Sequence, residues 1–128
     1  MFKAKDIMTT DVISVKRKTP IHAAIRTMVS NGITGLPVVN DDMTLAGIIS
    51  EKDVLQLLYS CEDLKSEGTV ENFMTSDVIS FDQDENLIAI CNCLMKNHFR
   101  RVPVVVNGKL AGIITRTDII KYILEPIK

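Results

Sequence analysis

A chain of 128 residues, 46% hydrophobic and 24% charged, is about one domain long and carries enough apolar side chains for a proper core. Its 15 basic and 16 acidic side chains leave a net charge of -1, which supplies no long-range attraction to nucleic acid or to an anionic membrane. No apolar run approaches the roughly 18 residues that span a bilayer, and MFKAKDIMTTDV lacks the apolar stretch of a secretory signal, so a cytoplasmic protein without membrane contact is expected.

Taken in chain order, the elements come twice. MTTDVIS at 8–14 returns as MTSDVIS at 74–80, LPVV at 36–39 as VPVV at 102–105, and LAGIISEKD at 45–53 as LAGIITRTD at 110–118. The spacing is 66 residues up to Pro-Val-Val and 65 after it, so one indel separates NDDMT from VNGK in a turn. VISV and VISF read as short strands. The helix that follows is signalled in the first copy by Thr19 as N-cap, Pro20 at the first helical position and Gly32 just past the end. Ile21, Ala24, Ile25, Met28 and Val29 form its apolar stripe, and Leu87, Ile90, Cys91, Leu94 and Met95 repeat the spacing.

Two apolar runs then read as a hairpin, which Asn107-Gly108 closes in the second copy because both turn residues must take positive φ. A closing helix begins at Ser50 or Thr115. Polar YSCEDLKSEGTVEN, residues 59–72, reads as the connector, with a short helical turn before Phe73-Met74. One copy alone would bury only about 60% of its unfolded surface. The expected fold is therefore α/β in the α+β sense: two pseudo-symmetric β-α-β-β-α repeats, 1–64 and 65–128, packed face to face through small sheets.

Ser50-Glu51-Lys52-Asp53 and Thr115-Arg116-Thr117-Asp118 each fit a helix-capping box, in which the acid reaches back to the cap amide. Yet capping boxes prefer Glu or Gln, and both hydroxyls follow Gly-Ile-Ile, where a strand glycine often marks a close approach to the backbone. A helix N-terminus suits phosphate, and a carboxylate beside it can accept both hydroxyls of a ribose. On spacing alone, the ligand site and the pure cap stand level. The copies diverge just before the proline, where Arg100-Arg101 of the second faces Thr34-Gly35 of the first.

The doubled pattern of strand, helix, Pro-Val-Val and G-I-I-[ST]-x-x-D resembles the cystathionine beta-synthase (CBS) domain, and the two copies look like a tandem CBS pair, or Bateman module, over nearly the whole chain. The resemblance implies a regulatory sensor of AMP, ADP or ATP, with S-adenosylmethionine as a further candidate and no required cofactor, bound in clefts between the repeats. It assigns the ribose to Asp53 and Asp118 and places Ser50 or Thr115 near the ribose or phosphate. Residues just before the proline, Arg100 and Arg101 in the second copy, would reach the phosphates, since two guanidiniums can grip phosphate and Thr-Gly cannot, and Arg116 would add a third. It sets the adenine of the Asp118 cleft against Val12 and Ile13, and that of the Asp53 cleft against Val78 and Ile79. With no effector domain in the chain, its output would pass to a separate, unidentified protein. The rival reading is a structural dimerisation module with degenerate clefts; a nucleotide-hydrolysing enzyme would need a metal-binding carboxylate cluster that is missing.

Other residues carry less. His98 in KNHFRR reads as a solvated helix end, Lys16-Arg17-Lys18 as a wet loop, and His22 lacks a second metal ligand. Cys61, Cys91 and Cys93 read as reduced thiols, with no metal site and no catalytic constellation. In the closing helices, Val54, Leu55, Leu57 and Leu58 span about 160° of the wheel, and Ile119, Ile120, Tyr122, Ile123 and Leu124 about 200°. A surface helix needs little more than 100° to face its core, so a homodimer is expected on the excess.

Overall fold

The structure is a computed structural model that describes residues 2–60, 68–97 and 99–124, excluding the side chains of Leu58 and Ser60. It is an α+β fold with five helices and two three-stranded sheets among those residues. In chain order these are α1 (Ala4–Ile7), β1 (Val15–Lys16), α2 (Ile21–Asn31), β2 (Gly35–Val39), β3 (Leu45–Ser50) and α3 (Glu51–Ser60). A 3₁₀ turn (Val70–Asn72), β4 (Phe81–Asp82), α4 (Leu87–Lys96), β5 (Arg101–Val106), β6 (Lys109–Thr115) and α5 (Arg116–Leu124) follow. In each sheet the first strand runs parallel to the central one, and the third is antiparallel to it.

The chain divides into two compact units that exchange their leading segments. One joins residues up to Val12 with Ile79 onward, and the other comprises Ile13–Val78. Fully buried Ala4 from the start of the chain joins Leu87, Ile90, Leu94, Val102, Val104, Ile114 and Ile119. Fully buried Val70, from the segment ahead of the second strand set, joins Ile21, Ala24, Met28, Leu36, Val38, Ile49 and Leu57. Val70, within the stretch read from polarity as connector, is therefore a core residue. Gly68 O accepts from Ile21 N at 2.9 Å, and Val70 N donates to Thr19 O at 2.9 Å. The rest of the connector, 61–67, lies outside the described residues.

The first strands are shorter than VISV and VISF imply, and Val12, Ile13, Val78 and Ile79 precede them without ladder partners. The prolines explain this. Pro37 stands opposite Ile48, whose N–H and C=O both turn outward to Thr75. Pro37 therefore faces its own backbone toward β1, where it has no N–H to offer. Pairing starts one residue later, at Val15 with Val38, and the second copy repeats the arrangement with Pro103, Phe81 and Val104.

Helix α2 starts one residue later than expected. Pro20 is its N-cap, and the Thr19 hydroxyl instead accepts from Lys16 N at 3.0 Å. Gly32 ends it at φ 61°, where its N–H is bonded to the last turn and no Cβ opposes the left-handed backbone. Val29 and Met95 fall outside the core stripe, 77% and 67% exposed, because each lies at the edge of an arc whose centre already fills the contact. Asn107 and Gly108 take φ 53° and 80°, the tight hairpin expected. In the first copy the extra residue is accommodated with Met43 at φ 71°, an uncommon conformation for its side chain.

Candidate functional site

Ser50 closes β3 and Thr115 closes β6, so each hydroxyl sits where a strand turns into a helix. The capping box forms in both copies, with aspartate reaching as far as is needed. Ser50 N and Ser50 Oγ donate to Asp53 Oδ2 at 2.9 and 3.0 Å, while Asp53 N approaches Ser50 Oγ at 3.4 Å. Thr115 N donates to Asp118 Oδ2 at 2.9 Å, and Asp118 N to Thr115 Oγ1 at 3.1 Å. The other carboxylate oxygens differ. Asp53 Oδ1 accepts from Thr75 Oγ1 at 3.1 Å, whereas Asp118 Oδ1 has no hydrogen bond among the described residues.

The strand glycines do mark a close approach, but what approaches is protein. A Cβ on Gly47 would lie 2.5 Å from Thr75 O, and one on Gly112 would lie 2.6 Å from Met8 Sδ and 2.9 Å from Thr9 O. Thr75 exchanges backbone hydrogen bonds with Ile48, both 2.9 Å, and Thr9 exchanges them with Ile113 at 2.9 and 3.0 Å. The repeated Met-Thr pair thus lies along the third strand of each sheet. The signal in the sequence is a repeated pairing: two Met-Thr dipeptides and two Gly-Ile-Ile runs.

The copies differ in the residue that stands across the sheet from each hydroxyl. Arg101 stands directly opposite Thr115 across β5 and β6, and Gly35 stands opposite Ser50 across β2 and β3. Arg101 is half-buried and Arg100 exposed, and each has an interaction of its own. Arg100 O accepts from Arg116 N at 3.3 Å, as Thr34 O accepts from Glu51 N at 2.9 Å. The Arg116 guanidinium turns back, donating from Nε to Phe99 O at 2.8 Å and from Nη2 to Leu94 O at 3.0 Å. It ties the end of α4 to the head of α5, and a phosphate would have to recruit its remaining donors.

Asp118, Thr115, Arg100, Arg101, Arg116 and Val12 share one compact unit with Ile79, and Ser50, Asp53 and Val78 share the other with Ile13. Val12 and Val78 are half-buried, while Ile13 and Ile79 are 41% and 45% exposed. Among the described residues, neither isoleucine has a strand or bridge partner.

Lys16 and Lys18 are exposed, as a wet loop implies, and the run also makes contacts of its own. Arg17 Nε donates to Asn40 Oδ1 at 2.6 Å, Lys16 Nζ to Asn40 O at 3.2 Å, and Lys18 pairs with Glu71. His22 is exposed on α2; Cys91 and Cys93 are free, half-buried thiols, both packed against a core. His98 and Cys61 lie outside the described residues. Among the described residues, no group of three His, Cys, Asp or Glu side chains could hold a metal ion, and no helix is long and apolar enough to cross a membrane.

The CBS domain family model matches residues 4–60 and 70–125. The crystal structure of Arabidopsis thaliana CBSX2 in complex with AMP superposes with a TM-score of 0.88 at 32% identity, over 98% of each chain. The CBS domain pair of protein MJ0100, in complex with 5-methylthioadenosine and S-adenosyl-L-methionine, gives 0.82 at 27% identity over 96% of each. The uncharacterized protein MJ1225 of Methanocaldococcus jannaschii is 36% identical over 119 residues, which make up 93% of this chain and 42% of that protein. The chain thus spans less than half the length of that relative.

Proposed function

This chain belongs to the CBS domain family, carrying two copies in tandem, and we propose that it is a regulatory module that binds AMP, ADP or ATP and signals through a partner protein in the cytoplasm. S-adenosylmethionine is a further candidate, since one similar structure holds it. The dominant site is built on Asp118 and Thr115 with Arg100, Arg101 and Arg116 toward the phosphates and Val12 and Ile13 toward the adenine; Asp53, Ser50, Val78 and Ile79 form the weaker one. The observation that carries this is the cross-strand pair: a guanidinium-bearing residue opposite Thr115 where glycine stands opposite Ser50. Such a cation, beside a helix N-terminus and a carboxylate with an open oxygen, suits a ribose phosphate. Binding regulates only by its difference in affinity between two conformations.

Hydrogen bonds to charged groups contribute roughly 1.5 to 3 kcal/mol, and tenfold in affinity is about 1.4 kcal/mol. Calorimetric titration with AMP should therefore show at least about a tenfold loss for Asp118→Ala or Arg101→Ala, with thermal stability checked without ligand. Loss in Asp53→Ala with Asp118→Ala intact would reverse the assignment, and no change in either would remove it. A dimerisation module with degenerate sites is the second reading. It is favoured by the closed capping boxes and the Met-Thr pairs, which account for Ser50, Asp53, Thr115, Asp118 and both glycines without a ligand. Absence of AMP and ATP binding in the parent would select it.

A further inference from the structure

We infer that Thr75 is an internal occupant of the first copy's ribose-binding carboxylate and thereby sets the ligand occupancy of that copy, an inference that rests on the nucleotide reading above. A carboxylate offers about four lone-pair positions. Asp53 has three in use, two by Ser50 N and Ser50 Oγ on Oδ2 and one by Thr75 Oγ1 on Oδ1. Among the described residues, Asp118 has one in use, by Thr115 N. A vicinal diol donates two hydrogen bonds. Asp118 can accept both, whereas Asp53 can accept both only after Thr75 lets go.

Thr75 is not free to leave as a whole. Its backbone is paired in both directions with Ile48 at 2.9 Å, and its carbonyl occupies the space that a side chain at position 47 would fill. The hydroxyl is therefore delivered to Asp53 by a fixed backbone and gives way by rotation about χ1 or of its O–H bond. Thr9 has the same backbone pairing with Ile113 but makes no hydrogen bond to Asp118, so the residue types match and the occupancy does not. The first copy is weakened twice: it lacks a guanidinium at position 35 and has a competitor at position 75.

The test removes the hydroxyl and keeps the shape. In full-length protein with the dominant site silenced by Asp118→Asn, which retains an oxygen for the cap, adding Thr75→Val should tighten AMP binding at least about threefold, the return of one modest hydrogen bond. The gain should vanish for 2′,3′-dideoxy-AMP, which has no diol. Thr9→Val beside Asp53→Asn should leave AMP affinity unchanged. Thr75→Ala has the same expectation as Thr75→Val, and a cooperative urea transition confirms that each variant folds. Unchanged, weaker or unmeasurable AMP binding on adding Thr75→Val, or an equal gain for the dideoxy nucleotide, overturns the inference while the parent and Asp118→Asn still report on the Asp118 site. A parent that binds no AMP overturns both.

Discussion

Gly47→Ala probes what the glycine of Gly-Ile-Ile is for. The new Cβ would sit 2.5 Å from Thr75 O and 3.1 Å from Met74 Sδ, where ordinary contact begins near 3.4 Å. Thr75 O must therefore retreat by about 0.9 Å, and the same atom accepts from Ile48 N at 2.9 Å. A retreat of that size takes the bond out of range and strains its reciprocal partner. Two backbone bonds at about 0.5 to 1.5 kcal/mol each, together with overpacking of typically 1 to 3 kcal/mol, give an expected loss of about 2 to 6 kcal/mol. Gly112→Ala should cost about 1 kcal/mol less, because its first contact is Met8 Sδ at 2.6 Å, the end of a flexible side chain. Urea unfolding at constant m decides the matter. A Gly47→Ala variant within about 0.5 kcal/mol of the parent, or a costlier Gly112→Ala, would refute the claim that the Met-Thr segments fill these spaces.

Three further outcomes are expected. Light scattering should give a dimer, because Leu55 and Tyr59 on α3 and Ile120, Ile123 and Leu124 on α5 are all more than 60% exposed; Ile120→Glu with Ile123→Glu should dissociate it, and a parent near 14.3 kDa at micromolar concentration removes the idea. Metal analysis of untagged protein should find no stoichiometric zinc on Cys91 and Cys93, since residues two apart point about 200° from each other on a helix; zinc lost in a Cys91→Ser and Cys93→Ser variant would contradict this. Lys5, hydrogen-bonded to Asp84 and helped by Lys3, holds that carboxyl below its ordinary 3.8. Its contribution is present above the ordinary value and lost as pH falls through the lowered native one. A small stability deficit in Lys5→Met should therefore be seen at neutral pH and close in strong acid; an unchanged deficit would sink it.

Periodicity and turn chemistry were legible wherever the cause is local. Gly32 stops α2, Asn107-Gly108 makes the hairpin, and the spacing of Ile21, Ala24 and Met28 finds the core because each depends on residues within one turn. The misreadings depend on residues far along the chain. VISV looks like a four-residue strand until Pro37 withholds its N–H from the upstream half. TVEN looks like a solvated connector until Val70 is found fully buried in the first copy's core, just as Ala4 is in the second's. The short helix Ala4–Ile7 escaped notice for the same reason: its one buried residue is held by the far copy.

The candidate site shows the same division. The hydroxyl, the aspartate and the arginine pair are all visible in sequence, because a strand turning into a helix has a short, repeated signature. Which carboxylate oxygens remain available is not visible, because Thr75 and Thr9 are the same residue in the same motif. Near-identical motifs can therefore hide unequal sites. In this chain the inequality lies in two partners that approach Ser50-Asp53 and Thr115-Asp118 from outside the motif: the residue opposite the hydroxyl across the sheet, and the threonine laid along the third strand. Reading ligand occupancy from the motif alone would predict two equal sites; on the nucleotide reading proposed above, these two neighbours are the reason to expect the site at Asp118 to dominate.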